Sequence, residues 1–114
     1  MIRAAFVMCL LFSVVLPASV SAQIDCPATI AGLRECIQHG VEQGHITNQG
    51  IAISLQAKID AAQSAADRGH VDVAAAQLRA FILEVNAQSG KFIAAEHAAH
   101  MVEHAQAVIQ VLQS

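Results

Sequence analysis

The chain has no tryptophan and no tyrosine, and only four phenylalanines among its 114 residues. Binding bases or sugars by stacking requires exposed flat rings, so platforms of that kind are disfavoured. Charge is sparse as well, at 13% of residues, with nine carboxylates against six Lys and Arg. A phosphate backbone or an anionic membrane surface calls for a basic face, and this mildly acidic balance does not supply one. Three cysteines occur, none spaced as C-x-x-C, which leaves out the redox motif of thiol oxidoreductases. A Gly-rich phosphate loop, a G-x-S-x-G elbow and an EF-hand loop are all missing. Ser54, Ser64 and Ser89 stand in no motif with His and Asp, and Asp67 and Asp72 straddle a turn where capping explains them.

One apolar run is present, and it lies at the N-terminus. Arg3 precedes the stretch 4–16, which Pro17 and the small-residue tripeptide Val20-Ser21-Ala22 follow. An apolar stretch of 13 residues is too short for a membrane span of roughly 20, so residues 1–22 read as a secretory signal peptide. Cys9 sits inside the run and not behind it, which argues against a lipoprotein. Cleavage after Ala22 would leave 23–114 as a single domain of 92 residues, exported to the bacterial periplasm or beyond with no stable membrane anchor.

The remainder has helical periodicity throughout. Pro27 suits a first helical turn, and Ile30, Leu33, Ile37 and Val41 then repeat at helical spacing until Gly40 and Gly44 interrupt. Thr47 is a plausible N-cap for a second helix striped by Ile51, Leu55, Ile59, Ala62 and Ala66, with Gly69 as its left-handed stop. A third carries Ala74, Leu78, Phe81, Ile82 and Val85 up to Ser89-Gly90. A fourth, over 94–112, carries Ala98, Met101, Val102, Ala105, Ile109 and Leu112. Nothing alternates with period two. The expected fold is all-α: a small up-down bundle of about four helices, close-packed through 19 alanines in 23–114. Short connections make neighbours antiparallel, which predicts the 40–47 loop and the Gly90 loop at one end and Gly69 at the other.

The string GIAISLQAKIDAAQSAADRGHVDVAAAQLRAFILEVNAQSGK, from Gly50 to Lys91, resembles the FIMAH-type helical module of secreted bacterial proteins. Gly50, Leu55, Lys58, Arg68-Gly69, Leu78, Ala80-Phe81-Ile82, Val85 and Ala87-Gln88-Ser89-Gly90-Lys91 carry the likeness, and Gly44-His45-Ile46 and the last helix continue it. The resemblance implies a helical accessory module, commonly attached to larger extracellular proteins, some of them polysaccharide-active. It implies no catalytic residues. Here the module is expected to stand alone behind its signal peptide.

Two cysteines, Cys26 and Cys36, survive cleavage in a compartment that favours disulfides. Ten residues apart on one helix they would lie about 15 Å apart, whereas a disulfide needs Cα atoms within roughly 7 Å. They can pair only if 25–29 is non-helical and doubles back; two reduced thiols or an intermolecular bridge are the alternatives.

Histidine supplies the one constellation with chemistry in it. His97, His100 and His104 fall within about 60° of one another on the last helix, on the flank away from its apolar stripe. Imidazoles at i and i+4 can share a zinc, nickel or copper ion, and Glu96 precedes His100 by one turn. His39 and His45 flank the loop expected at the same end, a topology that would bring side chains from both segments together near His97. A solvated polar face, or a pH-responsive one, is the plainer reading. His100, Glu103 and His104 also spell H-x-x-E-H, a metalloprotease signature that requires a further ligand and a cleft besides. A domain this small and alanine-rich has little room for a cleft, and no enzyme is expected. The leading expectation is a non-catalytic interaction module for a protein or envelope partner, which should leave an apolar or alanine-rich helix face exposed; a metal-binding protein is the alternative.

Overall fold

A computed structural model describes residues 27–114; residues 1–22, where a signal peptide is expected, and Cys26 lie outside the described residues. Four helices follow one another: α1 (Ile30–Glu42), α2 (Gln49–Asp67), α3 (Val71–Gln88) and α4 (Ala95–Gln113). Each packs against its two neighbours around a ring, α1 on α2, α2 on α3, α3 on α4 and α4 back on α1. The chain is an all-α up-down bundle.

Two helix starts differ from the sequence expectation. Pro27 stands outside α1, because Thr29 is the N-cap: its Oγ1 accepts the Gly32 N–H at 2.9 Å. The Pro27 carbonyl accepts the Thr29 N–H at 2.7 Å and lies against Gly32, where any Cβ would collide with it. The chain thus doubles back over the first turn of α1. At α2 the cap is Asn48, whose Oδ1 accepts the Ile51 N–H at 3.0 Å. Thr47 is used otherwise, its N–H donating to the Phe92 carbonyl at 2.9 Å and its Oγ1 to the same oxygen at 3.4 Å.

Those Thr47 bonds join two loops. The Ala94 N–H donates to the His45 carbonyl at 2.8 Å, and Ile46 pairs with Ile93 in an isolated antiparallel bridge. The α1–α2 and α3–α4 connections therefore share one end of the bundle, as antiparallel neighbours require, and the turn at Gly69 lies at the other. Gly69 has φ +79°, a conformation that costs an L side chain roughly 1–2 kcal/mol.

The core is made of the predicted stripes with local substitutions. Leu33, Ile37, Leu55, Ile59, Leu78, Phe81, Val85 and Met101 are fully buried, joined by Ile46 and Ile93 from the paired loops. On α1 the apolar line bends through Cys36 and Gly40, and Val41 is exposed. On α4, Val108 is buried, while Val102 and Leu112 are only partly so. Side-chain ties on the surface link neighbours: Arg34 with Asp60 between α1 and α2, and Lys58 with Glu84 at 2.9 Å between α2 and α3. Surface pairs of this kind add about 0–1 kcal/mol each, so burial and not pairing holds the bundle. No helix among the described residues is long and apolar enough to cross a membrane.

Candidate metal centre and the histidine end of the bundle

His97 is not on a solvated flank. It is buried, only 6% exposed, in the contact between α4 and α1. Glycine makes the space: a Cβ on Gly40 would sit 2.5 Å from His97 Nε2 and 3.0 Å from Cδ2. With no side chain there, the imidazole reaches the backbone of α1 and its Nε2 lies 3.1 Å from the Cys36 carbonyl oxygen. A carbonyl only accepts, so Nε2 carries the proton and donates. The His45 ring stacks on His97 with centroids 5.1 Å apart and planes inclined by 21°. The ring is thus held on one edge by a hydrogen bond and on one face by a second imidazole.

This setting favours the neutral form. Burial holds the His97 imidazole below its usual range, and the neighbouring His45, His100 and His39 push the same way, while the bond to the Cys36 carbonyl pushes against them. His97 is therefore a structural tie between helices, with one nitrogen committed.

His100 and His104 lie one and two turns further along α4, both half-buried. Their rings are 4.3 Å apart, centroid to centroid, and tilted by 49°. The exposed Glu103 completes the group: one ligand atom from each of His100, Glu103 and His104 lies within 4.8 Å of the others. Among the described residues this is the set that converges; His97, His39, His45 and Glu96 are not part of it. The i, i+3, i+4 spacing that unites it was visible in the sequence as H-x-x-E-H, but the sequence could not say that the third histidine turns inward. A shallow pocket lined by Gly69, His70, Val71, Asp72 and Val73 lies at the α2–α3 turn, opposite the end where His45 meets His97.

Cys36 is fully buried on α1 and is disulfide-bonded, and the other cysteines, Cys9 and Cys26, lie outside the described residues. The doubling back of Pro27 over α1 is the path that a bond from Cys26 to Cys36 would need.

No curated protein and no solved structure matches the chain. A family model does: the FIMAH domain matches residues 30–110, from the first residue of α1 to within three residues of the end of α4. The helices that build the bundle are thus those that define the family, and the chain belongs to the FIMAH domain family.

Proposed function

We propose that this FIMAH domain is an exported, non-catalytic helical interaction module that binds a protein or cell-envelope partner. The observation that carries the reading is a second apolar face on α3. The inner face, with Ala74, Leu78, Phe81 and Val85, is spent on the core. Outside, Val73, Ala76, Ala80, Leu83 and Ala87 follow one another at alternating steps of three and four, all exposed except the half-buried Ala80. That spacing is the seam of a helix–helix contact. Val73 is 51% and Leu83 69% exposed, and the adjacent α2 adds Gly50, Ile53 and Ala57 on its outer side, with Ile53 at 62%.

An exposed stripe of this length has no use in a bundle whose core is already closed, and a partner helix or apolar ridge would cover it. Small residues between Val73 and Leu83 allow close approach, so those two side chains serve as anchors. The test is site-specific photo-crosslinking in the native host, with a photoreactive residue at position 83 or, as a control, at the exposed polar position 106. A discrete adduct from 83 that is missing from 106 supports the reading. The same pattern from both positions, or no adduct from 83, would remove its basis.

A further inference from the structure

The histidines of α4 divide into two uses, and the division points to a ligand. His97 spends Nε2 on the Cys36 carbonyl. One turn on, His100, Glu103 and His104 bring three donor atoms to within 4.8 Å of one another. Two ligand atoms on one tetrahedral zinc ion, at bonds of about 2.1 Å, stand roughly 3.4 Å apart. Closing from 4.8 Å to that spacing takes under about 1.5 Å of movement per pair, within reach of small χ rotations on a fixed helix. A second observation concerns His104 itself: its Nδ1 is buried and has no hydrogen-bond partner among the described residues. Buried ring nitrogens are ordinarily satisfied, so this unmet position marks the ring as incompletely partnered in the protein alone.

We propose that His100, Glu103 and His104 bind one divalent transition-metal ion of the zinc and copper class. Two imidazoles and a carboxylate suit those ions better than magnesium or calcium, which prefer all-oxygen sets. The set offers three protein donors from one helix, which leaves a fourth position for water or for a donor from elsewhere. Because the donors are pre-placed on a single turn of α4, metal binds without rearranging the bundle. The site lies on α4, apart from the α3 seam, so the two readings stand or fall separately.

Isothermal titration of the purified protein with Zn²⁺ and with Cu²⁺, alongside His104→Ala, Glu103→Gln and His39→Ala/His45→Ala, tests this. One ion per chain is expected. Its affinity should fall in His104→Ala by more than the roughly 10–100-fold that losing an outer-shell partner costs, fall less in Glu103→Gln, and stay unchanged in the His39/His45 double variant. Should His104→Ala fail to fold, electron paramagnetic resonance of the Cu²⁺-loaded native protein decides, with splitting from two equivalent-class nitrogens expected. Absence of binding, several weak sites indifferent to His104→Ala, loss in the His39/His45 variant, or a one-nitrogen spectrum would each overturn the proposal.

Discussion

Replacing Gly40 by alanine sets two effects of known size against each other. In a helix interior the change ordinarily gains about 1 kcal/mol, because glycine loses the most backbone entropy on folding. Here the new Cβ would fall 2.5 Å from His97 Nε2 and 2.9 Å from Ile46 Cδ1. The isoleucine methyl is a flexible end and can turn aside. The imidazole cannot, being bonded to the Cys36 carbonyl at 3.1 Å and stacked on His45. Overpacking costs about 1–3 kcal/mol. If the ring is driven off, a buried carbonyl and ring nitrogen lose their partners for about 1–3 kcal/mol more. With the ring driven off, the net expectation is a loss of about 1–5 kcal/mol, despite the better helix propensity. Urea unfolding followed by far-UV circular dichroism at pH 7.5 measures it, and each kcal/mol should lower Tm by about 4–8 °C in a domain of this size. Introducing Gly40→Ala into a His97→Ala background should abolish the penalty, since the obstacle is gone. A Gly40→Ala protein as stable as the native one, or more so, would refute the close approach of α1 and α4.

The same contact makes stability pH-dependent. Because the folded protein holds His97 below the usual histidine value, its contribution is complete above about pH 6.5 and is lost as pH falls from there through the folded-state value. The slope from this one group is at most about 1.4 kcal/mol per pH unit. Urea unfolding between pH 8 and pH 5 should show the decline, and His97→Gln should flatten it; an equal decline in both proteins would assign it to other groups. The cysteines give a separate test. We propose that Cys36 is bonded to Cys26, so mass spectrometry of the unreduced chain 23–114 should find one disulfide between them, and reduction should cost about 2–3 kcal/mol, as expected for so short a loop. Two titratable thiols in the unreduced, denatured protein would refute the bond.

Much of the bundle was legible from single residues. The stripes through Leu55, Ile59, Leu78, Phe81 and Met101 are buried as their spacing implies, and the Gly69 and Gly90 stops fall in left-handed turns at φ +79° and +77°. Even the sharing of one end by two loops followed from counting antiparallel helices. The α2 cap lies one residue beyond Thr47, because Asn48 is the stronger cap type and Thr47 is taken by bonds to Phe92, 45 residues away in the chain.

The histidines show where local reasoning stops. Spacing alone grouped His97, His100 and His104, because residues three and seven apart share a helix face whatever that face meets. Only the tertiary structure decides what it meets. At His97 it meets Gly40, a residue without a side chain, and the slot so formed draws the imidazole into the core and onto the Cys36 carbonyl. At His100 and His104 the two rings instead lie 4.3 Å apart, and Glu103, one turn from His100, is grouped with them. Sequence by itself determined the helices, their order and the end at which they meet, since periodicity, caps and glycine stops are local. Which histidine is structural and which remain grouped with a carboxylate was decided by packing between helices, since burial and hydrogen-bond partners come from residues some sixty positions distant in the chain.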